Sequence, residues 1–328
     1  MNKLTKIGVS ALAGSLALTA ANAADVSLSG GVAVYVTNTD EGRSGASFFQ
    51  GDSLTASVSG ETDGGMTVSA SWEFDGPANS QSSTSSYDNR SLSFGNDSLG
   101  TFTFAGHGGT TVMGMWDDVM PTAYEEPWDI TSGASAARIN GANGNNIWKY
   151  KSPTVSGVTV HAAHQYLNQG TSGATTNDVT EDSYTDFGIE ISPEMVEGLT
   201  IGYASGEMAD TATTTIDHST FFVKYAFGSL TVGYQEHEAD GPTATKTDES
   251  ESMAISYAVS DDLSISYGER EYNSGDKSLD QEDEAISISY TMGGMTIAGG
   301  FNSSDNIDGA SATTADKESY EIGLSFAF

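Results

Sequence analysis

Seven times in this chain a turn is followed by the same tripeptide: an apolar residue, a Thr or Ser, and another apolar residue. The copies are Met66-Thr67-Val68, Phe102-Thr103-Phe104, Val158-Thr159-Val160, Leu199-Thr200-Ile201, Leu230-Thr231-Val232, Leu263-Ser264-Ile265 and Met295-Thr296-Ile297. Each follows Gly or Asp within two residues, and an alternating stretch lies just upstream. Period-two alternation puts apolar side chains on one face of a strand and hydroxyls on the other. Repeated along one chain, it describes a single closed object with an oily face and a wet face.

The first residues say where such an object goes. Lys3 and Lys6 precede an apolar run over residues 7–21, and Ala21-Asn22-Ala23 is an A-x-A cleavage triplet. The run is too short to span a bilayer as a helix. Residues 1–23 are expected to be a cleaved signal peptide, and residues 24–328 the mature domain. No later stretch resembles a transmembrane helix, so membrane residence requires a closed set of strands.

Composition excludes several classes. With no cysteine there is neither a disulfide framework nor a thiolate metal site. Without Lys3 and Lys6, ten basic residues face 45 acidic ones, which argues against nucleic acid as a partner. The mean hydropathy of −0.28 looks soluble, as it must for a barrel in which only alternate residues meet lipid. Neither G-x-S-x-G, H-E-x-x-H nor a P-loop occurs, so no enzyme is expected.

Turn signals and alternation together predict an all-β chain of sixteen antiparallel strands, from residues 26–36 to residues 320–328. Short connections such as 61–65, 96–100 and 293–294 are expected to alternate strictly with long ones. Within the pleat, Met66, Val68, Ala70, Trp72 and Phe74 share one parity, and Thr67, Ser69, Ser71 and Glu73 the other. The first set should face lipid. Phe94, Tyr150, Phe227, Tyr257, Tyr290 and Phe328 close their strands as an aromatic girdle. By the same parity His107, Lys149, His161, Lys224 and Arg270 point inward and Arg90 outward, although an ion pair closing the wall explains any single base as well.

Two local stretches carry a family resemblance. The final strand, Tyr320 to Phe328, ends in Phe326-Ala327-Phe328 and resembles the assembly signal of bacterial outer-membrane barrels. Asn146-Ile147-Trp148-Lys149-Tyr150-Lys151-Ser152-Pro153 is similar to the N-x-[IVW]-[RK]-Y-x-S-P stretch of Gram-negative general diffusion porins, the trimeric sixteen-stranded family of the Rhodobacter kind. The resemblance implies an outer-membrane channel for passive diffusion of ions and small hydrophilic solutes. It also implies a homotrimer, assembly by the barrel-insertion machinery, and a third loop folded inward. One departure is plain: such porins often line one wall with arginines, and the mature chain has only Arg43, Arg90, Arg138 and Arg270.

That third loop corresponds to residues 108–145, the longest connection. It carries Asp117, Asp118, Glu125, Glu126 and Asp129, with Met113, Met115, Trp116, Met120 and Trp128 among them. An inward fold makes these acids a constriction, packed to the wall by the Met and Trp residues; otherwise they are a solvated surface. No resident cofactor is expected. Acid-rich outer loops such as 248–251 and 280–284 could hold Ca²⁺ weakly or bridge to lipopolysaccharide through divalent ions. The competing reading is an acidic surface protein, an adhesin or coat, without a channel.

Overall fold

A computed structural model describes residues 24–38, 45–75, 86–131, 141–165, 183–211, 214–243, 247–310 and 315–328. The expected signal peptide 1–23 lies outside the described residues, as do Arg43 and Arg138. The barrel strands are β1 (Asp25–Asn38), β2 (Ser47–Glu61), β3 (Thr67–Asp75), β4 (Ser86–Asn96), β5 (Gly100–His107), β6 (Ile147–Lys151), β7 (Val158–Gln165) and β8 (Tyr184–Ile191). They continue as β9 (Leu199–Thr211), β10 (Thr214–Phe227), β11 (Leu230–Asp240), β12 (Asp248–Ala258), β13 (Leu263–Ser274), β14 (Gln281–Met292), β15 (Met295–Asp305) and β16 (Lys317–Ala327). Each pairs antiparallel with its sequence neighbour, and β1 pairs with β16, from Gly31 opposite Ala327 to Asn38 opposite Tyr320. The sheet therefore closes, and no edge strand is left to recruit another chain.

Closure sorts the side chains as the pleat demands. Val32, Leu54, Leu92, Val232, Ile255, Ile288 and Leu324 are exposed outside. Between them, Thr159, Asp186, Gln235, Ser252, Ser266, Ser287 and Asn302 are buried inside. A polar interior and an apolar exterior suit a barrel whose solvent is lipid. At the rim of short turns the rings of Phe94 and Phe102 stack at 5.6 Å and those of Phe102 and Tyr150 meet at 4.6 Å. The Tyr150 hydroxyl donates to the Leu99 carbonyl at 3.0 Å.

Strict alternation of long and short connections does not hold. β9 and β10 run on to Thr211 and Thr214, leaving two residues between them, where the sequence had suggested a long loop. The acidic runs 248–251 and 281–284 are likewise strand, not loop. Their outward positions above the apolar belt carry Glu, so alternation there is polar against polar and invisible to hydropathy. In register on the outside, Glu236 faces Glu251, Glu251 faces Glu271, Glu271 faces Glu282, and Glu282 faces Asp305.

Candidate functional site

The connection between β5 and β6 turns back against the inner wall. A two-residue ladder, Gly109–Thr110 with Asn143–Gly144, holds its ends together. A single helical turn, α1 (Val112–Met115), then starts on the wall itself. Its first two amides, Val112 and Met113, donate to the two carboxylate oxygens of Asp186 on β8 at 3.2 and 2.9 Å. A carboxylate there satisfies N–H groups that a helix start leaves open.

From α1 the chain follows the wall toward β16. Trp116 lies edge-on to Phe222 at 5.2 Å and to His161 at 5.8 Å, and its carbonyl accepts from Gln235. The Ala123 amide donates to Ser266 Oγ at 2.8 Å. Asn302 Nδ2 donates to the carbonyls of Glu126 and Pro127 at 3.1 and 2.6 Å. Tyr124 finally donates its hydroxyl to Glu321 on β16 at 2.5 Å.

Glycines on the inner wall make room for this path. A Cβ at Gly188 would stand 2.6 Å from Val112 and 2.7 Å from Trp116, and one at Gly233 2.5 Å from Pro121. Gly268 and Gly300 sit in the same way under Pro127 and Ile130. Val112, Met113, Trp116 and Met120 are buried with Ile147, Tyr184 and Phe222 in one apolar cluster. Met113, Trp116 and Met120 thus lie in this cluster, whereas Met115 is exposed and meets Lys149 Nζ through its sulfur at 4.0 Å.

The five acids separate into two roles. Glu126 is only 2% exposed and accepts the Met120 amide through Oε1, while its buried Oε2 has no hydrogen-bond partner. Asp118, Glu125 and Asp129 are exposed, and Asp117 is half-buried. One carboxylate oxygen from each of Asp118, Glu126 and Asp129 lies within 4.8 Å of the others. Burial pushes the Asp117 carboxyl up to about 7, with repulsion from Asp118 and Asp129 added and Arg270 opposing. Desolvation by the surrounding walls lifts Glu125 to about 7 although its side chain meets solvent, and full burial lifts Glu126 to about 9, neighbouring carboxylates adding to both. Asp118 and Asp129 rise for the same first reason.

The expected bases do not form one ladder. Lys149 and Lys224 are half-buried on the inner face. His107 is bonded to Asn145, and His161 is buried against Trp116. Arg270 is 3% exposed and gives Nε and Nη2 to Asp283 Oδ2 at 3.0 and 2.7 Å, with Trp128 stacked on its guanidinium at 4.2 Å. It braces the wall and the connection and is not a free positive charge. Asp186, Gln235 and Asn302 hold the connection but carry no sequence motif; the signal available for them was the run of inner-parity glycines beside them.

A family profile described as Gram-negative porin matches residues 8–328. The chain belongs to the Gram-negative porin family. Solved structures agree on the fold. A mutant Rhodopseudomonas blastica porin superposes with a TM-score of 0.69 at 13% identity, covering 93% of this chain and 100% of that one. The anion-selective porin from Comamonas acidovorans gives 0.69 at 14% identity with the same coverage. OmpT of Vibrio cholerae, in its trimer form, gives 0.67 at 12% identity over 94% of this chain and all of its own. Among curated proteins no sequence matches. As a Gram-negative porin the protein is an outer-membrane channel for the passive diffusion of ions and small hydrophilic solutes, and the adhesin reading is not favoured.

Proposed function

We propose that residues 108–145 narrow this porin's water-filled lumen and give it a mild preference for cations. The observation that carries the reading is the one-sided attachment of the connection. Away from its two ends, its bonds and apolar seats fall chiefly on β6 to β16, which leaves the passage between Asp117, Asp118, Glu125 and Asp129 and the hydroxyl-rich inner faces of β1 to β5. Low-dielectric walls strengthen the field of such a group of acids. Lys149 and Lys224 oppose it from the wall, while Arg270 is neutralised by Asp283.

Residues 1–23 serve as a cleaved signal peptide in this reading, and Phe326 and Phe328 present the last strand to the insertion machinery. The smooth outer faces of β1 and β2, with Val26, Leu28, Val32, Val34, Ala56 and Val58, pack the protein as a homotrimer. No cofactor or catalytic role is assigned. Divalent ions neutralise the outward row from Glu236 to Asp305 against lipopolysaccharide, because like charges directly opposite one another destabilise a sheet. Calcium at Asp118, Glu126 and Asp129 would weaken the loop's field.

Single-channel recording of purified protein in a planar bilayer tests the channel with its constriction. Stepwise conductance that rises when 112–131 is cut short supports it. Conductance unaffected by that deletion removes the constriction from the account.

A further inference from the structure

Met113, Met115 and Met120 all lie on the connection, but their sulfurs meet different surroundings. Met113 is 0% exposed and Met120 5%, both inside the apolar cluster on the wall, whereas Met115 is 38% exposed. Val112 and Met113 are the buried side of α1. Met115, at its last position, turns instead to Lys149 on the inner face of β6, and its thioether meets the solution that fills the barrel.

Lys149 Nζ stands 4.0 Å from that sulfur. A thioether is a weak acceptor, so an ammonium directed at it has bonding capacity to spare. No carboxylate takes that capacity up: among the described residues the ion pairs are Arg270 with Asp283 and Lys277 with Asp308.

A wetted sulfur beside a fixed hydrogen-bond donor suits oxygen transfer. Hydroperoxides are small hydrophilic solutes of the kind this channel passes. The sulfur lone pair attacks the distal peroxide oxygen, and the S–O bond forms as the O–O bond breaks. The leaving oxygen takes the proton of the transferred hydroxyl and departs as water or an alcohol. Sulfur gives up an electron pair and the peroxide gains it. The Lys149 ammonium, keeping its own proton, hydrogen-bonds the leaving oxygen as negative charge develops there. The product is a polar sulfoxide, whose oxygen accepts from Lys149 better than the sulfur did.

We propose that Met115 is a modification site for hydroperoxides crossing the lumen, and that its sulfoxide straps α1 to β6 through Lys149. Met113 and Met120 escape because the cluster seals them. Met195, 95% exposed on the turn between β8 and β9, reacts as a free thioether and forms no strap. The strap ties the end of α1 just as the Asp186 bonds tie its start, so the oxidised connection moves less. Methionine sulfoxide reductase returns the thioether and removes the strap.

Brief treatment of the purified porin with hydrogen peroxide tests both halves: peptide mapping by mass spectrometry reads the site, and single-channel recording reads the strap. Met115 should take up oxygen well ahead of Met113 and Met120. Lys149→Leu should slow that uptake roughly two- to tenfold, the worth of one hydrogen bond, and leave Met195 unaltered. In the bilayer, peroxide should quiet the open-channel current of the wild type, reductase should restore its noise, and Met115→Leu should not respond. Met115→Gln, which offers a carbonyl oxygen at similar reach, should be quiet without oxidant. Oxidation of Met115 no faster than that of Met113 and Met120 overturns the site, and uptake indifferent to Lys149→Leu removes Lys149 from it. Wild-type noise unchanged after complete Met115 oxidation, or an equal response in Met115→Leu, overturns the strap. Should Lys149→Leu fail to insert, Met115→Gln decides: noise equal to that of Met115→Leu removes the strap. The peptide map reads the same whether or not the connection narrows the lumen, so failure of the constriction and failure of the site remain distinct.

Discussion

Gly30 and Phe328 exchange backbone hydrogen bonds in both directions, each 3.0 Å long, and so extend the seam where the last strand meets the first. The Phe328 ring lies over Gly30, where a Cβ would come within 3.1 Å of it and 2.4 Å of the Ser53 carbonyl. Deleting Phe328, or replacing it with Asp, should impair outer-membrane insertion while export and cleavage proceed. Normal heat-modifiable barrel in outer-membrane fractions of the deletion strain would count against this. Gly30→Val should destabilise the closed barrel by about 1–3 kcal/mol through overpacking, read from its urea midpoint.

The seat of α1 offers a separable test. Asp186→Ala removes the acceptor of two amides, and Gly188→Leu forces a side chain into the space of Val112 and Trp116. Either change should release the connection, raising single-channel conductance and its noise while the far-ultraviolet β-sheet signal persists. Unaltered conductance in both variants would contradict the seating role.

Arg270 is expected to matter for stability more than for selectivity. Arg270→Ala leaves Asp283, 1% exposed, without its cation, a loss of about 3–5 kcal/mol for a broken buried pair. Trp128 loses its stacking partner as well. A stable variant with strongly altered reversal potential would instead make Arg270 a pore charge.

Alkaline pH should sharpen cation preference. Asp117 and Glu125 ionise near 7 and Glu126 near 9, so the connection gains negative charge from pH 6 to 9. These folded-state values lie above the usual carboxylate range, so the folded connection retains protons that an unfolded chain releases. The stability contributed by those protons is present in acid and lost as pH rises through 7 to 9. Reversal potentials at pH 6 and 9 check the first effect, and susceptibility of 112–131 to added protease checks the second. A flat pH response in both would refute the link.

Stripping divalent ions should also act, at the outer rim. With chelator present, the row Glu236, Glu251, Glu271, Glu282 and Asp305 repels itself across strands. The thermal midpoint should fall and return with Mg²⁺, since a ligand of the folded state stabilises by mass action. Charge-neutral variants of Glu251 and Glu271 should be less sensitive to chelator.

Much of the barrel was legible in the sequence because a strand's facing is a local property. Val232-Gly233-Tyr234 or Ile286-Ser287-Ile288 declares its faces without reference to any partner. Strand ends were lost where outward Glu249 and Glu251 flank inward Ser250, for there both faces are polar. The seat of the connection was illegible for another reason. Asn302 meets Glu126 and Pro127, and Gln235 meets Trp116, across more than a hundred residues, and a bond between distant positions leaves no local pattern. Arg270 shows the same limit: its inward parity was readable, but its burial with Asp283 and Trp128 was not. The inner glycines at 188, 233, 268 and 300 mark places where something large approaches the wall, without saying what.

The central claim is that acids on the connection set the sign of the lumen's field. Reversal potential across a tenfold KCl gradient, measured on the wild type, Asp117→Asn and Asp118→Asn at neutral and alkaline pH, tests it most directly. The expected result is cation preference that weakens in both variants and with added salt, as the screening length falls toward ~3 Å at 1 M. Clear anion preference in the wild type, or variants indistinguishable from it at both pH values, would contradict the account.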